Sequence, residues 1–343
     1  MKVLWMPEYE RLEVIDRPCP EPAADELLVR VRACGICGSD VHGFDGSTGR
    51  RIPPVIMGHE ASGVVAGAGA NVRGFREGDR VAFDSMISCG ACDYCRRGEP
   101  NLCDNRQILG VSCADFRRDG AFAEYVAVPA RIAFRLPDSL SFGHAAMLEP
   151  VSVAVHAVNL TPVRLGGTAM VAGAGMIGLL CIQCLRLAGC GRIYAVDLDG
   201  ARLALARRLG ADEGLNPRSC DVKAEVLERT GGRGVDVALE AVGATDPIAT
   251  AVACLRKGGA LTLVGNFSPS IQLPLQSVVT RQLRLAGSCA SANEYPACIE
   301  LLARGAIELD PLISARAPLE DAPAWFNRLH AGEPGLMKVI IEP

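Results

Sequence analysis

A group of four closely spaced cysteines constrains the fold of this chain more than any other feature. They follow the pattern C-x2-C-x2-C-x7-C and are Cys89, Cys92, Cys95 and Cys103. Their neighbours are mostly glycine and polar residues, whereas buried thiols favour apolar strands and helices. Four thiolates at this spacing can close tetrahedrally on a zinc ion, and such a site has no open position for chemistry. The segment 88–105 is therefore predicted to be a structural zinc lobe, with buried thiols or disulfides as the alternative.

Length, composition and charge predict a two-domain protein that binds a small molecule. The chain has 343 residues, of which 49% are hydrophobic, and no apolar run approaches the roughly 20 residues of a membrane-spanning helix. The formal net charge is -4 and basic residues form no block, which argues against nucleic acid as a partner. The first residues lack the apolar core of a secretory signal. Because thiolate metal sites need a reducing environment, we expect a cytoplasmic protein with no membrane partner.

The first 150 residues predict a β domain. They contain short apolar runs interrupted by glycine and proline, at 26–31, 63–66, 79–82 and 122–128. The length and partial alternation of these runs are typical of strands in a barrel-like domain with few helices. The polar chemistry of this portion is then expected in its loops.

From about Val151 the pattern changes to buried strands that alternate with amphipathic helices. A strand at 169–172 is followed by one helix, and a strand at 192–196 is followed by another at 199–209. Alternation at this spacing predicts βαβ units and a doubly wound parallel sheet with helices on both faces. The C-terminal run 337–341 indicates one more strand, which could close either domain.

The sequence Gly173-Ala174-Gly175-Met176-Ile177-Gly178 matches G-x-G-x-x-G directly after an apolar strand. In this motif the first glycine permits a tight turn, the second lets the backbone approach a pyrophosphate, and the third allows a helix to pack closely on a strand. The next strand ends at Asp197, where a carboxylate can bind the adenosine ribose hydroxyls and repel a 2′-phosphate. These features predict NAD in preference to NADP; a glycine-rich turn that binds nothing is the alternative.

Two short motifs of the β domain contain residue types that bind metals. Cys37 lies in the segment 34–42, and His59 and Glu60 are adjacent in the sequence Gly-His-Glu. A thiolate, an imidazole and a carboxylate leave one position of a zinc ion for water or substrate, which is typical of a catalytic site. A further carboxylate, Glu149, lies at the border of the two domains. Taken singly, these residues also fit a buried thiol, a core imidazole and a surface or cap carboxylate.

Together these motifs resemble those of the zinc-dependent medium-chain alcohol dehydrogenase family. The resemblance covers nearly the whole chain and is carried by G-I-C-G-S-D-V-H at 35–42, G-H-E at 58–60, the four cysteines, L-E-P at 148–150, G-A-G-M-I-G at 173–178 and Asp197. It is nearest the polyol (sorbitol or iditol) and sugar-alcohol-phosphate dehydrogenase branch, with threonine dehydrogenases further off.

The resemblance implies a fold and a set of cofactors. A GroES-like catalytic β domain is expected from residues 1–150 and 287–343, including the structural zinc lobe at 88–105. A Rossmann domain with a doubly wound parallel sheet is expected as an insertion at 151–286. NAD and two zinc ions per chain are the expected cofactors. The family also implies a homo-oligomer, either a homotetramer or a homodimer.

The resemblance also assigns roles to the site residues. Cys37 and His59 are expected to be zinc ligands. Glu60 is expected to be a direct or exchanging ligand with a catalytic role, and Glu149 a ligand directly or through water. Ser39 and His42 are expected to pass on the proton of the substrate hydroxyl through the cofactor ribose. The residues expected to bind the dinucleotide are Gly173, Gly175, Met176, Ile177, Gly178, Asp197 and Arg202.

Asp40 lies on the same short segment and has two interpretations. Its carboxylate can accept a hydrogen bond from His59 and thereby fix the ring tautomer that binds metal. It can also cap a helix that begins at Val41. Both roles can hold together.

The reaction implied by the resemblance is the reversible oxidation of a secondary alcohol of a polyol or sugar alcohol, phosphorylated or not, to a ketone. Two departures from the sorbitol dehydrogenase pattern leave the substrate open: Gly43 replaces a frequent aromatic residue, and 287–291 lacks an Arg-Tyr pair. Arg50 and Arg51 either grip a phosphate with a guanidinium fork or form a solvated loop. Three other functions remain: threonine 3-dehydrogenase-like oxidation of a hydroxy amino acid, non-catalytic NAD binding with a vestigial metal site, and a zinc-free quinone or enoyl reductase. The last shares the fold but should lack Cys37, His59 and the four-cysteine lobe.

Overall fold

Two units make up the chain in the computed structural model, which describes all residues from Met1 to Pro343. The first unit contains residues 1–149, 295–305 and 309–343. The second contains residues 150–294 and 306–308. No helix in either unit combines the length and the apolar composition that crossing a bilayer requires.

The secondary structure is mainly β-strand in the first part of the chain, and strands alternate with helices in the second part. The strands are β1 (Lys2–Glu8), β2 (Arg11–Asp16), β3 (Glu26–Gly35), β4 (Val55–Ile56), β5 (Glu60–Ala68), β6 (Arg80–Phe83), β7 (Met86–Ile87), β8 (Gln107–Ile108), β9 (Val111–Ser112), β10 (Arg117–Arg118), β11 (Tyr125–Pro129), β12 (Ala133–Arg135), β13 (Thr168–Ala172), β14 (Arg192–Val196), β15 (Glu213–Leu215), β16 (Val235–Glu240), β17 (Leu255–Leu263), β18 (Arg284–Gly287), β19 (Ile313–Pro318) and β20 (Lys338–Glu342). The α-helices are α1 (Gly38–Phe44), α2 (Asp93–Arg96), α3 (Phe142–Ala146), α4 (Leu148–Leu160), α5 (Met176–Leu187), α6 (Gly200–Arg208), α7 (Val222–Arg229), α8 (Thr245–Cys254), α9 (Leu275–Thr280), α10 (Tyr295–Ala303) and α11 (Ala322–His330).

The first unit is built on a seven-stranded sheet in the order β12-β6-β5-β3-β20-β19, with β11 also paired to β3. The apolar runs predicted as strands lie in β3, β5, β6 and β11, and inward-facing residues of β3 alternate with exposed ones. The C-terminal strand β20 pairs antiparallel with β3 through Ile340 opposite Gly35 and Ile341 opposite Cys34. The terminal strand, whose domain the sequence left open, therefore lies beside the strand that leads into the Cys37 segment.

The second unit is a six-stranded sheet in the order β15-β14-β13-β16-β17-β18, and every pairing in it is parallel. Numbered from β13, this is the doubly wound order 3-2-1-4-5-6. Its central strands are buried along nearly their whole length because helices cover the sheet on both faces. The predicted α/β class with a doubly wound parallel sheet is therefore confirmed.

The chain leaves the second unit later than the sequence suggested. Strand β18 (Arg284–Gly287) pairs with β17 at the edge of the parallel sheet. The segment after it stays with this unit as far as Glu294, whose buried carboxylate lies 2.7 Å from Nδ1 of His156 on α4. Residues 287–294 thus pack in the unit of the parallel sheet, although the resemblance suggested the catalytic domain for them.

Candidate active site

The Cys37 segment is shaped by the start of a short helix. Strand β3 ends at Gly35, and α1 (Gly38–Phe44) begins two residues after Ile36, with Cys37 at its N-cap. Asp40 is at the third helical position, and its Oδ2 accepts the Cys37 N–H at 3.3 Å. The helix therefore begins three residues before Val41, and Asp40 closes a capping box from inside the first turn. The predicted cap role is corrected in this respect: Asp40 does not precede the helix.

Strand pairing brings the second motif to this segment. Glu60 is the first residue of β5 and lies opposite Gly35 in the β3–β5 pair. A Cβ on Gly35 would lie 2.3 Å from Oε2 of Glu60, so only glycine leaves room for this carboxylate. The candidate ligand atoms of Cys37, His59 and Glu60 all lie within 4.8 Å of one another. One thiolate, one imidazole and one carboxylate at this separation fit a divalent metal that keeps a position open.

The orientation of His59 suits metal binding. Its Nδ1 lies 3.2 Å from Oδ1 of Asp40, which leaves Nε2 facing the other ligands. Oγ of Ser39 lies 3.4 Å from this Nε2 and 3.4 Å from the Cys37 sulfur. Ser39 is solvent-exposed, whereas Asp40 is fully buried. The structure therefore brings Ser39 and Asp40 to opposite sides of the His59 ring.

The electrostatics of this cluster favour positive charge. Burial opposes the charge of Asp40, but His59 and Arg51 hold the pKa of its carboxyl well below the usual range. Burial also opposes a charged His59, yet Asp40 and Cys37 raise the pKa of its imidazole well above the ordinary value. An acidic pocket that pulls a proton onto a buried imidazole is one in which a cation is stabilised. A metal ion would supply that charge.

Glu149 lies beside the three-residue cluster but is not one of its members. It is in the first turn of α4 and is half-buried. Burial, and then the charges of Glu60 and Asp84, raise the pKa of its carboxyl to about 7, whereas His59 and Lys338 lower it. These interactions place Glu149 near the candidate ligands His59 and Glu60.

Two cations have roles at the site that the sequence did not predict. Nζ of Lys338 donates to both carboxylate oxygens of Glu60, at 2.8 and 2.6 Å, and to the backbone oxygen of Ile36 at 3.1 Å. Nη2 of Arg51 lies 2.9 Å from Oδ1 of Asp40, and both side chains are buried. For Lys338, the sequence offered one indication: it is a single lysine within the apolar run 337–341. Arg51 is therefore not free to grip a substrate phosphate, which corrects that interpretation.

His42 is on the exposed side of α1. It lines a cavity of the first unit together with Val41, Asp45 and His330. Nε2 of His330 lies 3.1 Å from Oδ2 of Asp45, and the His330 ring meets Phe44 edge-on at 5.7 Å between centroids. The structure thus places His42 on the same helix as Ser39, in contact with open space.

The four cysteines of the lobe converge without a hydrophobic core. Their sulfur atoms all lie within 4.8 Å of one another, and tetrahedral zinc would need sulfur atoms about 3.8 Å apart. Backbone N–H groups of Ala91 and Cys92 point at the Cys89 sulfur from 3.5 and 3.3 Å. These hydrogen bonds lower the pKa of the Cys89 thiol to about 6. The donor set therefore fits a closed thiolate site.

The glycine-rich loop of the second unit has the geometry that a dinucleotide requires. Gly173 has φ of +94°, which favours glycine. A Cβ on Gly178 would lie 1.8 Å from the Gly173 oxygen, whereas a Cβ on Gly175 would meet nothing within 4 Å. Helix α5 begins at Met176, followed by Ile177, and its N-cap Gly175 has no side chain to occupy the free N–H groups. The N-terminal end of this twelve-residue helix therefore fits an anionic pyrophosphate, because its backbone N–H groups are free to donate to it.

The predicted ribose-binding acid follows the next strand. Oδ2 of Asp197 accepts the Ala174 N–H at 2.7 Å, and Oδ1 accepts the Asp199 N–H at 2.9 Å. The carboxylate is therefore fixed beside the glycine-rich loop. Arg202 is exposed on α6, and its Nε lies 3.9 Å from the carboxylate of Asp199. The structure brings Asp197 to the loop and leaves Arg202 on the helix that follows.

Known proteins share both units. Residues 23–138 match the family described as alcohol dehydrogenase GroES-like domain, and residues 177–304 match the family described as zinc-binding dehydrogenase. Sorbitol dehydrogenase of Bacillus subtilis (strain 168) is 35% identical over 100% of this chain and 97% of its own length. D-arabitol-phosphate dehydrogenase of Enterococcus avium is 36% identical over 98% of this chain and 95% of its own length.

A solved structure agrees with these relatives. A zinc-binding dehydrogenase from Sinorhizobium meliloti 1021, bound to NADP, superposes with a TM-score of 0.91 and 34% identity over 100% of this chain and 99% of its own. The predicted GroES-like and Rossmann fold is thereby confirmed. With both family matches and full-length relatives in agreement, the chain belongs to the zinc-dependent medium-chain alcohol dehydrogenase family, in the branch that includes polyol and sugar-alcohol-phosphate dehydrogenases.

Proposed function

We propose that this protein oxidises a secondary alcohol of a polyol or sugar alcohol to a ketone, reversibly, with NAD as hydride acceptor. The observation that carries the proposal is the cluster of Cys37, His59 and Glu60, whose ligand atoms lie within 4.8 Å of one another. A mixed set of this kind leaves a metal position open for substrate. Relatives named as sorbitol and arabitol-phosphate dehydrogenases support a polyol as substrate.

The residues of the first unit divide the work around a zinc ion. Cys37 and His59 would hold it, with Glu60 as a direct or exchanging ligand and Glu149 as a ligand directly or through water. Zinc bound there supplies a Lewis acid that lowers the pKa of a coordinated hydroxyl. Asp40 holds the His59 ring by its Nδ1, at 3.2 Å, so that Nε2 stays directed at the metal position.

Proton transfer falls to the exposed side of α1. The Ser39 hydroxyl lies 3.4 Å from Nε2 of His59 and 3.4 Å from the Cys37 sulfur, beside the proposed metal ligands. It can accept the substrate proton and pass it towards His42, which reaches open space on the same helix. A hydroxyl and an imidazole in series can remove one proton from the site for every alcohol oxidised.

The second unit would bind the dinucleotide through Gly173, Gly175, Met176, Ile177 and Gly178. We propose NAD rather than NADP because the Asp197 carboxylate is held beside the glycine-rich loop by the Ala174 N–H. A carboxylate there would accept hydrogen bonds from ribose hydroxyls and repel a 2′-phosphate. Arg202 would contribute at the edge of this site.

The remaining assignments follow the same reasoning. The four cysteines of the lobe would hold a second, structural zinc. The GroES-like unit would serve as the catalytic domain and the parallel-sheet unit as the NAD-binding domain. We propose a homotetramer or homodimer, in keeping with the family. A cytoplasmic location is supported by the fifteen cysteines, none of which forms a disulfide.

The test is a substrate panel with the purified protein. Polyols, sugar-alcohol phosphates and threonine are each offered with NAD and with NADP, and the absorbance of the reduced cofactor is followed. We expect reduction of NAD with at least one polyol, and loss of that activity in Cys37→Ala. The matched control is Cys113→Ala, because Cys113 is a free thiol outside both metal clusters.

The panel also separates the other functions. Turnover with threonine but with no polyol would select oxidation of a hydroxy amino acid. An absence of turnover with every substrate, in protein that binds NAD, would select a non-catalytic dinucleotide-binding protein. A rate in Cys37→Ala equal to that of the wild type would contradict the zinc chemistry itself.

A further inference from the structure

Arg51 is an arginine at the protein interior, with a side chain only 4% exposed. It enters through a gap that exists because residue 43 is glycine. A Cβ on Gly43 would lie 2.1 Å from Cγ and 2.9 Å from Cβ of Arg51. These atoms are at the base of the side chain, so they cannot move aside without withdrawing the guanidinium. The small residue on α1 and the buried arginine therefore form one structural unit.

The guanidinium joins two residues that flank His59. Its Nε and Nη2 donate to Oδ1 of Asp40 at 3.2 and 2.9 Å. Nη2 also donates to Oγ of Ser39 at 3.3 Å. A planar fork can make these contacts together, whereas a single ammonium cannot. Arg51 thus fixes two groups: the Asp40 carboxylate, which contacts Nδ1 of His59, and the Ser39 hydroxyl, which lies near Nε2.

The same contacts fix the position of the Asp40 carboxylate. Its Oδ1 receives Arg51 and the His59 ring, and its Oδ2 receives the Cys37 N–H. Without Arg51 the fully buried carboxylate would lose two hydrogen-bond donors to Oδ1, and a buried acceptor left without donors rearranges. That rearrangement takes away the fixed acceptor that orients Nδ1 of His59.

We propose that Arg51, admitted by Gly43, is a positioning residue for the metal centre: it locks Asp40 and Ser39 so that His59 presents Nε2 to the metal. The inference deepens the proposed function, because it concerns the same metal cluster. It also gives a physical reason for the glycine at position 43, since an aromatic side chain there and a buried Arg51 exclude each other.

The test compares variants in the zinc-loaded protein. Arg51→Met removes the charge at similar volume, and Arg51→Lys keeps the charge but not the fork. Gly43→Ala leaves Arg51 in the sequence but fills its path. The controls are Arg50→Met, the exposed neighbour, and Gly38→Ala on the same helix, where a Cβ would meet nothing within 4 Å.

Two measurements do not depend on turnover. One is competition with a chelator, which reports zinc affinity at the three-residue cluster. The other is the visible absorption spectrum of Co²⁺ at that cluster, which reports ligand geometry. In all three test variants we expect affinity to fall roughly 10- to 100-fold and the spectrum to change. Both controls should match the wild type, and the zinc of the four-cysteine lobe should be retained throughout.

A double variant makes the test decisive. Gly43→Ala and Arg51→Met are expected to act through one interaction, so the double variant should be no worse than the more affected single variant. Wild-type zinc affinity and an unchanged Co²⁺ spectrum in Arg51→Met would overturn the proposal. If that variant fails to fold, the same result in Arg51→Lys or Gly43→Ala would overturn it. Should the wild type oxidise no alcohol, the proposed function fails, whereas the metal affinities still decide the role of Arg51.

Discussion

Lys338 forms a buried ion pair with Glu60, in which Nζ lies 2.6 Å from Oε2 and the two side chains are 3% and 1% exposed. The partners are 278 residues apart in the sequence. Their contact joins the last strand of the chain to the first residue of β5, next to the candidate metal ligands. One residue of the C-terminal strand therefore holds the carboxylate that would share a metal with Cys37 and His59.

Removal of this lysine should destabilise the first unit strongly. In the metal-free protein Lys338→Met leaves the Glu60 charge buried without its partner, and we expect the free energy of unfolding to fall by about 3–5 kcal/mol. Urea unfolding followed by circular dichroism measures the change. Lys2→Met breaks a surface pair with Glu320 and should leave stability essentially unchanged. If the two variants lost the same free energy of unfolding, burial would not explain the strength of the Lys338–Glu60 pair.

Glycines 175 and 178 should respond differently to alanine. In Gly178→Ala the new Cβ would lie 1.8 Å from the Gly173 oxygen, so we expect unfolding free energy to fall by about 1–3 kcal/mol or more. In Gly175→Ala the Cβ meets no protein atom within 4 Å, and the fold should be unaffected. It would instead intrude on the pyrophosphate, and NADH affinity should fall roughly tenfold or more. Thermal unfolding and NADH fluorescence titration separate the two effects; normal NADH affinity in Gly175→Ala would contradict the assigned site.

Asp197 should control the choice of cofactor. Asp197→Asn keeps an oxygen that can accept the Ala174 N–H but removes the negative charge. We expect kcat/KM with NADP, relative to NAD, to rise by roughly one to two orders of magnitude, because the repulsion of a 2′-phosphate is lost. Asp199→Ser is the control, since it retains a helix cap for α6 and should leave the ratio unchanged. An unchanged ratio in Asp197→Asn would exclude this carboxylate as the selective group.

The cysteine lobe should lose its own metal independently of the catalytic cluster. Cys92→Ser removes one of four thiolates, and a closed site with three thiolates binds zinc much less tightly. Elemental analysis is expected to show one zinc per chain in place of two, with greater protease sensitivity in the segment 88–105. Cys113→Ser should keep both metals. Retention of two zinc ions in Cys92→Ser would show that the lobe is not a thiolate metal site.

Motif residues were predictable from the sequence because short-range spacing encodes them. Cys37 and His59 stand in segments whose local pattern indicates metal binding, and the glycine-rich loop follows a strand that apolar periodicity identifies. The parallel sheet was predictable for the same reason. These features depend on neighbours in the sequence, and the family matches confirm the fold that they implied.

Long-range partners of those residues were not predictable. Lys338 lies in an apolar strand, and only the pairing of β20 with β3 brings it to Glu60. Arg50 and Arg51 are adjacent and chemically identical, yet one is exposed and the other is buried against Asp40. Arg51 occupies the space that Gly43 leaves, and the glycine in the sequence does not indicate which side chain fills that space. The point at which the chain leaves the second unit, after Glu294, likewise involves a long-range contact, between Glu294 and His156.

Asp236 should make the second unit sensitive to acid. Its Oδ1 lies 2.6 Å from Nε of Arg256, and its Oδ2 accepts the Thr168 N–H and hydroxyl, each at 2.9 Å. Burial opposes the charge, but these partners lower the pKa of Asp236 to about 2, below the ordinary value of 3.8. The folded state therefore binds its proton less readily than the unfolded state. Its stabilising effect is complete above pH 4 and is lost as the pH falls towards 2.

We expect Asp236→Asn to lower the free energy of unfolding by about 2 kcal/mol at neutral pH. The difference from the wild type should stay constant between about pH 7 and pH 5, and should shrink below about pH 4 as the unfolded carboxyl becomes protonated. Urea unfolding at a series of pH values measures it. Glu333→Gln breaks an exposed pair with Arg328 and should show little effect at any pH. A difference for Asp236→Asn that persisted unchanged to pH 3 would mean that the side chain stabilises the fold through its shape and neutral hydrogen bonds, and not through its charge.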